Sequence, residues 1–464
     1  MLVMEQDRQQ LPCADIFAGQ RVIVVGLGKT GLSCVRFLIE RGVDVAVTDS
    51  RDNPAELEKL KNLYPDVAVF VGGLNEPAIN SADVLIVSPG ISIRTPIIAA
   101  AMMHDKTVIG DIEVFAQCTQ KPVVAITGSN GKSTVTSLLG DMARLAKRRV
   151  VVAGNIGLPV LDTINEDGET ELYILELSSF QLETTYTLNP VAAVILNITE
   201  DHMDRYASFA EYQAAKTRIF HGAQTVIVNR DEQVVSQLLD DWPQVPRSYS
   251  YSTTLAATQV DFAVIQHKAQ NWLAKAGTPL IPVAALKIKG KHNVSNVLAA
   301  LALGTAVGLP MPAMLEALQL FSGLPHRTQW VAEQDNVVWF NDSKATNVGA
   351  TIAAVNGLAD YRLILLMGGQ GKGQDFSALR QTFVGKVKHV YLFGEDAQRI
   401  ADALGDAVTH SFVKDLKQAV NEAKAVAVAG DAVLLSPSCA SFDMFNGYDH
   451  RGQVFMQLVQ EALA

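Results

Sequence analysis

The sequence predicts an α/β protein of three domains, each built around a mainly parallel sheet. The first observation is rhythm. Near-continuous apolar runs such as Val22-Ile23-Val24-Val25, Val123-Val124-Ala125-Ile126 and Leu363-Ile364-Leu365-Leu366-Met367 alternate with helix-compatible stretches, as strands buried on both faces of a parallel sheet do. The second is punctuation: two of the strand-like runs end in glycine-rich turns that open helices, at 26–31 and 128–131. The third is length, since 464 residues at roughly 150 per domain supply three cores.

Composition narrows the class. Hydrophobic residues at 48% and charged residues at 19%, with only 17 prolines, describe a compact α/β chain and exclude a disordered one. A formal charge of −10 argues against a nucleic-acid-binding face, so any cations that meet phosphates must be gathered locally. Cys13, Cys34, Cys118 and Cys439 lie far apart with no C-x-x-C pair, which predicts reduced packing thiols and a cytoplasmic setting. Met1 to Gln10 carries Glu5, Asp7 and Arg8 and lacks the apolar core of a signal peptide, so export is not expected. The longest uncharged stretch, Val297 to Leu315, is interrupted by Gly304, Gly308, Pro310 and Pro312 and reads as a buried helix followed by a loop. No low-complexity segment or short-period repeat is present.

The first domain, residues 1–110, opens with the strand Arg21–Val25. It turns through Gly26-Leu27-Gly28-Lys29-Thr30-Gly31 and reaches a second strand, Val45–Thr48, that ends at Asp49. A G-x-G-x-x-G turn with an acid about 20 residues further on is the pattern that holds a dinucleotide in dehydrogenases. On these residues alone an NAD-dependent oxidoreductase stays open, and so does a turn-forming role for Asp49 ahead of Ser50 and Arg51. Val84 to Gly90 and a helical run from Thr95 to Asp105 complete a Rossmann-like unit ending near Gly110.

The central domain, residues 111–322, begins with a strand through Ile126 and a phosphate cradle. In Thr127-Gly128-Ser129-Asn130-Gly131-Lys132-Ser133-Thr134, backbone N–H groups at a strand-to-helix turn and the positive end of the helix dipole hold phosphate oxygens. Lys132 supplies a point charge, and Ser133 offers a hydroxyl to Mg²⁺. The spacing G-x-x-G-K-S is shorter than that of the common P-loop, and the bland alternative is a glycine-rich turn before an ordinary helix from Val135 to Ala146. Apolar segments follow at Glu171–Leu177, Val191–Ile198 and Thr225–Asn229, then short strand-like pieces between Leu255 and Lys289, then a helix from Asn293 to Val307. Glu176 ends an apolar strand at the edge where open α/β sheets bind ligands, which makes it a Mg²⁺ candidate; a solvated strand-end acid is the alternative. Asn155 lies in a glycine-flanked turn after a strand, where turn formation is the plain reading. Gly323-Leu324-Pro325 leads into the third domain, residues 323–464, whose strands at Val337–Phe340, Leu363–Met367, Val390–Phe393 and Val433–Leu435 alternate with helices in a second Rossmann-like pattern.

A resemblance rests on segments taken in order. The segment 127–134, Gly154-Asn155-Ile156-Gly157, Glu176-Leu177-Ser178-Ser179-Phe180-Gln181-Leu182, Glu200-Asp201-His202-Met203-Asp204, Gly290-Lys291-His292-Asn293, Pro325-His326-Arg327 and Asn341-Asp342-Ser343-Lys344-Ala345-Thr346-Asn347 follow one another as in the Mur ligases, and the chain resembles that family over its whole length. Members that add D-glutamate also open with Gly-Leu-Gly-x-Thr-Gly and carry Ser-Pro-x-Cys-Ala-Ser, as Ser436 to Ser441 do here.

The resemblance implies an ATP-dependent amide ligase of peptidoglycan synthesis, a cytoplasmic monomer joining D-glutamate to UDP-N-acetylmuramoyl-L-alanine, with no nucleic acid and no membrane insertion. Such a ligase activates a carboxylate as an acyl phosphate, with Mg²⁺ screening the negative charges. The resemblance implies ATP held by Gly128, Ser129, Asn130, Gly131, Lys132, Ser133, Thr134, Asn293, Asn296, Arg327 as phosphate clamp and Asp342 near the ribose. Leu27, Thr30, Asp49, Ser50, Gly90 and Asn155 would hold the UDP-sugar, which displaces the dinucleotide reading. Thr346, Lys372, Ser441 and Tyr448 would receive D-glutamate. Two magnesium ions are implied, one at Ser133 and Glu176 and one at His202 and Lys216, the lysine as its CO₂ adduct, a carbamate that turns a cation into an anionic oxygen ligand. Lys132, Asn155, Glu176, His202, Lys216 and Lys344, which would face the transferring phosphoryl group, make up the implied catalytic set.

Without the resemblance, His202 reads as a turn histidine and Lys216 as a solvated lysine on a helix. Two positions depart from the family pattern: Tyr448 stands where Phe is more usual, and Gly368-Gly369-Gln370-Gly371-Lys372 replaces Gly-Gly-Asp-Gly-Lys. A nucleotide-driven switch or motor is a further reading from the P-loop. Folylpolyglutamate synthetases share the later motifs, but the uridine-type N-terminal domain and the order of blocks argue against them.

Overall fold

The computed structural model describes residue 13 and residues 15–166, 168–199, 201–203, 205–240 and 247–464. Glu200 and Asp204 of the family motif, and the segment Met1 to Gln10, lie outside the described residues. The first sheet holds β1 (Arg21–Val25), β2 (Asp44–Thr48), β3 (Ala68–Phe70), β4 (Val84–Val87) and β5 (Thr107–Ile109), all parallel, in the order β3-β2-β1-β4-β5. The second holds β6 (Val123–Thr127), β7 (Val150–Gly154), β8 (Leu172–Glu176), β9 (Ala192–Ile195), β10 (Val226–Asn229), β11 (Ser248–Ser252), β12 (Phe262–His267), β13 (Gln270–Lys275) and β14 (Thr278–Pro282). Its order is β14-β13-β12-β11-β10-β9-β6-β8-β7, parallel except for the antiparallel β12-β13-β14 meander. The third holds β15 (Gln329–Gln334), β16 (Val337–Asn341), β17 (Arg362–Gly368), β18 (Val387–Phe393), β19 (His410–Phe412) and β20 (Asp431–Leu435) in the order β15-β16-β20-β17-β18-β19, with only edge strand β15 antiparallel. Residues 1–283 with 296–318 form one compact unit containing the first two sheets, and residues 284–295 with 319–464 form a second containing the third.

The apolar runs are strands because both faces of each sheet are covered. In β1, Val22 and Val24 pack on one side with Phe37 while Ile23 and Val25 pack on the other with Leu85 and Val87. In β17, Leu363, Leu365 and Met367 face one core and Ile364 and Leu366 the opposite one. A period of two with apolar side chains on both phases leaves no polar face to expose. The chemistry-bearing residues therefore fall in the turns after the strands: 26–31 after β1, 49–51 after β2, 88–91 after β4, 128–131 after β6, 342–347 after β16, 369–373 after β17 and 436–441 after β20.

Two expectations need correction. The stretch following the helix Lys291–Ala306 is not a loop to Leu315; a second helix, Met311–Leu320, begins within it, and Pro312 is tolerated because it falls in the first turn, where its missing N–H has no intrahelical partner. No helix among the described residues is long and apolar enough to cross a membrane. Cys34 and Cys439 are buried free thiols as expected, but Cys13 and Cys118 form a disulfide, because the chain just before β1 runs beside the end of the helix Asp111–Cys118.

The turn after β1 depends on close approach. Gly26 has φ +97°, its carbonyl accepts from Ser88 Oγ at 2.7 Å, and a Cβ on Gly31 would run into that same carbonyl. Gly31→Ala is therefore expected to lower stability by about 1–3 kcal/mol through overpacking, measured as a fall in melting temperature.

Candidate active site

The glycine loop after β6 has the backbone a phosphate cradle needs. Gly128 and Gly131 sit at φ +154° and +84°, where a side chain would be strained, and Gly131 leads directly into the helix Lys132–Leu145. Lys132 Nζ donates to the carbonyls of Gly128 and Ser129 at 2.7 and 2.9 Å, folding back over its own loop. Asn296 brings its amide against Gly131, so close that a Cβ there would collide with it. Ser133 and Thr134 are buried in the first turn, and Asn130 is exposed.

Glu176 ends β8 next to this loop and is 2% exposed. Its Oε1 accepts from Asn155 Nδ2 at 2.8 Å, while Asn155 N donates to the Glu176 carbonyl at 2.8 Å, so the two candidates form one unit across the ends of β7 and β8. Oε2 of Glu176 is buried with no hydrogen-bond partner. A buried carboxylate oxygen left unsatisfied costs roughly 1–3 kcal/mol or more, and it is the donor type that a hard cation such as Mg²⁺ takes. The chemistry of Ser133 and Glu176 thus fits a magnesium ion.

Lys216, on the helix Phe209–Thr217, corrects the solvated-lysine reading: it is 2% exposed. Its Nζ donates to Gly128 O at 2.9 Å and Thr127 Oγ1 at 3.4 Å and stands 4.8 Å from the centre of the Tyr212 ring. Burial, reinforced by the Lys132 charge, holds its amine well below the ordinary lysine range, against the opposing pull of Asp201 and Glu176. Tyr212 anchors the same helix to the loop, its hydroxyl 2.9 Å from Ser129 Oγ. His202 sits in a turn at φ +56°, half-exposed, with Nε2 3.6 Å from Asp201 and its ring edge-on to Phe180 at 4.8 Å. It faces these partners, whereas Lys216 faces the carbonyl of the glycine loop.

At the first sheet, Asp49 is wholly buried and its carboxylate is fully engaged by protein groups. Oδ2 accepts from Leu27 N at 2.7 Å and Arg51 Nη2 at 2.7 Å, and Oδ1 from Arg51 N and Nε at 2.9 Å each. Burial pushes its pKa up, but the hydrogen bonds from Arg51 and Leu27 outweigh that and hold it at about 2. Asp49 therefore both forms the turn and orients Leu27. Thr30, Ser50 and Gly90 stand around the same carboxyl-end crevice, Ser50 and Gly90 exposed.

In the second unit, Asp342 Oδ1 accepts from Thr328 N at 3.0 Å and Oδ2 from Ser436 Oγ at 2.8 Å. Lys344 Nζ lies 3.7 Å above the Tyr448 ring centre, a cation–π contact available to the family's usual Phe as well. Ser441 Oγ is buried without a partner. Lys372 is exposed at φ +52°, and its loop is held through Gly371 N, which donates to Asp396 at 2.6 Å, while Gln370 Nε2 reaches Glu395 at 3.0 Å. Thr346 N donates to Lys344 O at 2.8 Å, and Asn293 Nδ2 to Lys289 O at 2.8 Å. Arg327 is part-buried and its charge works to lower the Asp342 pKa.

Sequence reasoning missed the arginines that tie these turns together. Arg205, three residues past His202, stacks 4.0 Å over Phe180 and donates to the carbonyls of Pro89, Gly90 and Ile91 at 3.2–3.4 Å. Arg94 returns the contact, pairing with Glu183 at 2.6 Å and Glu211 at 3.5 Å. No motif marks either residue, because each acts on a segment remote in sequence.

With this geometry in hand, comparison with known proteins gives consistent matches. Residues 20–110 match the family described as Mur ligase MurD-like, N-terminal domain; residues 126–304 match Mur ligase middle domain; residues 326–439 match Mur ligase, glutamate ligase domain. The chain is 51% identical over 442 residues to UDP-N-acetylmuramoylalanine–D-glutamate ligase of Pseudomonas aeruginosa, covering 95% of this chain and 97% of that one. It is 48% identical over 444 residues to the enzyme of the same name from Nitrosococcus oceani, with the same coverage. Among solved structures, UDP-N-acetylmuramate-alanine ligase MurC from Thermotoga maritima superposes with TM-score 0.59 at 19% identity over 96% of this chain and 100% of that one, a likeness of fold.

Burial raises the Asp342 carboxyl to about 7, against the lowering effect of Ser436 and Thr328. A raised acid pKa means the folded protein holds the proton more tightly than the unfolded chain. The stabilisation is complete below about pH 4 and is lost as pH rises through about 7. Relative to Asp342→Asn, the wild type is expected to lose up to about 4 kcal/mol between pH 4 and 8, measured by hydrogen exchange of the β16 amides.

Proposed function

The chain belongs to the Mur ligase family, and from that premise we propose how its residues add D-glutamate to UDP-N-acetylmuramoyl-L-alanine at the expense of ATP, a step of peptidoglycan synthesis. The observation that carries the reading is the unpartnered Glu176 oxygen beside the glycine loop. The backbone N–H groups of 128–134 take the ATP phosphates, and Lys132 exchanges its carbonyl partners for phosphate oxygens, a stronger charge-assisted pairing. Ser133 and Glu176 would hold one Mg²⁺; His202 and Lys216 could share a second only by turning from the partners each has here. Bound there, the metal supplies the charge screening that lets a carboxylate approach the γ-phosphate. Arg327 and Asp342 hold the nucleotide, together with Asn293 and Asn296. Leu27, Thr30, Asp49, Ser50 and Gly90 receive the uridine diphosphate portion.

The carboxylate oxygen of the alanyl substrate attacks the γ-phosphorus; the new P–O bond forms as the bond to ADP breaks, leaving an acyl phosphate. The amine of D-glutamate then attacks the carbonyl carbon, expelling inorganic phosphate and losing a proton. Lys344 and Asn155 steady the phosphoryl group during transfer. Thr346, Lys372, Ser441 and Tyr448 receive the amino acid. We read the enzyme as a cytoplasmic monomer; a reducing cytoplasm favours the dithiol form of Cys13 and Cys118, and nothing in this chemistry uses the bridge.

Lys216 supports a finer reading. A neutral amine is the form that attacks CO₂, and burial keeps this one neutral more readily than an exposed lysine. Carbamylation would replace a cation beside the phosphate loop with an anionic metal ligand.

Oxygen-18 in the carboxylate of the UDP-sugar substrate should appear in the released phosphate, one label per amide formed. Unlabelled phosphate alongside D-glutamyl product would eliminate the acyl-phosphate route. Lys216→Arg, which keeps the charge but cannot form the carbamate, is expected to lose most turnover, and ¹³C-bicarbonate should give a carbamate resonance in the wild type alone. A fully active arginine variant would reduce Lys216 to a structural lysine.

A further inference from the structure

Three adjacent strands of the third sheet, β16, β20 and β17, end in the turns that carry three of the amino-acid candidates: Thr346 after β16, Ser441 after β20 and Lys372 after β17. A fourth candidate, Tyr448, begins the helix Tyr448–Leu463. One turn into that helix lies Arg451, wholly buried. Its Nε donates to Ser343 Oγ at 2.9 Å, and Nη2 to the carbonyls of Ser343 and Cys439 at 2.9 and 3.0 Å. Nη1 approaches the carbonyls of Gly368 and Ala440 at 3.4 Å each. The acceptors lie in the turns after β16 and β20 and at the last residue of β17, where the third turn begins. Among the described residues, no carboxylate forms an ion pair with this guanidinium.

We propose that Arg451 is the positioning residue of the amino-acid subsite, its guanidinium fixing the three turns in one arrangement and leaving a cation without an ion-pair partner beneath a pocket for an α-amino dicarboxylate. The inference rests on the reading above that these turns receive D-glutamate. A packing role alone does not call for a buried cation without an ion-pair partner, with Asp443 acting on it only at longer range, since desolvating a charge is costly and an apolar side chain could fill the volume. A planar fork of five N–H donors, however, can serve all five of these acceptors on three segments, two more than the three donors of a lysine allow. The unpartnered hydroxyl of Ser441, directly after the Cys439 and Ala440 carbonyls that Arg451 holds, independently points to a ligand on this side of the turns. The first turn of the helix is packed to match: Asn341 Nδ2 donates to Gly452 O at 3.1 Å and lies 2.9 Å from His326 Nδ1, and a Cβ on Gly452 would strike that imidazole.

The test measures KM for D-glutamate, KM for the nucleotide sugar, kcat and melting temperature in the full-length enzyme. Arg451→Lys is expected to raise KM for D-glutamate roughly tenfold or more with KM for the nucleotide sugar within about twofold of wild type, because the fork geometry is lost while the charge is kept. Ser343→Ala removes one acceptor, leaves the guanidinium in place, and should raise the same KM about threefold. A folded Arg451→Lys enzyme with unchanged KM for D-glutamate, whatever its melting temperature, overturns the inference; should that variant not fold, Ser343→Ala decides by the same criterion. Ser441→Ala keeps the two readings apart. If it raises KM for D-glutamate while the Arg451 and Ser343 variants do not, only the positioning role fails. If none of the three changes it, the subsite is misassigned and both fail.

Discussion

A parallel strand presents its last residues and the turn that follows to the same edge as every parallel neighbour, and each candidate site in this protein depends on that constraint. The interior of the strands is closed to chemistry, because both faces are packed and a polar side chain there would be buried without a partner. Candidate groups are placed at the strand ends, in the turns that follow, where backbone N–H groups are unpaired and glycine permits the conformations needed to aim them, and on helices such as those carrying Lys216 and Tyr448. The order β3-β2-β1-β4-β5 brings the turns after β1, β2 and β4 together, and the order β9-β6-β8-β7 does the same for the glycine loop, Glu176 and Asn155. In the third sheet the chain returns to the middle with β20 between β16 and β17, and three turns converge again.

Bringing turns together is not enough to hold them, and the fold uses charged side chains for that purpose. Asp49 spans the turns after β1 and β2 through Leu27 and Arg51. Arg205 and Arg94 cross in opposite directions between the turn after β4 and the segment that carries His202 and Lys216. Arg451 serves the third sheet. Asp49, Arg205 and Arg451 reach backbone carbonyls or amides, so they specify the path of the chain and not merely the identity of one neighbour, whereas Arg94 pairs with two carboxylates.

The same turns carry groups that the protein leaves unsatisfied. Glu176 Oε2 and Ser441 Oγ are buried with no partner, and each costs about 1–3 kcal/mol until something binds. On the helix Phe209–Thr217, Lys216 carries an amine whose protonation burial and Lys132 disfavour. Such costs are tolerated where the surrounding packing is over-determined, which is the case for sheets covered on both faces and for helices as completely buried as Lys291–Ala306 over Val297–Leu303.

The sequence by itself determined the three sheets, because a two-sided apolar strand is a local pattern that needs no knowledge of its neighbours. It also determined the glycine loop, whose strand, turn and helix are contiguous, and the position of Glu176 at a strand end. The resemblance to the family suggested roles for residues such as Asn155 and Lys344, although their partners Glu176 and Tyr448 lie 21 and about 100 residues away. Tertiary structure alone decided the rest. Lys216 reads as a surface lysine because its helix has polar neighbours in sequence; it is buried because the glycine loop, some 88 residues earlier, closes over it. Arg451 lies 108 residues from Ser343, Arg205 lies 115 from Gly90, and Cys13 lies 105 from Cys118. Those pairings are set by strand order. A side chain's solvation and charge are properties of whatever the topology brings to it, and nothing within the local window of the sequence encodes that.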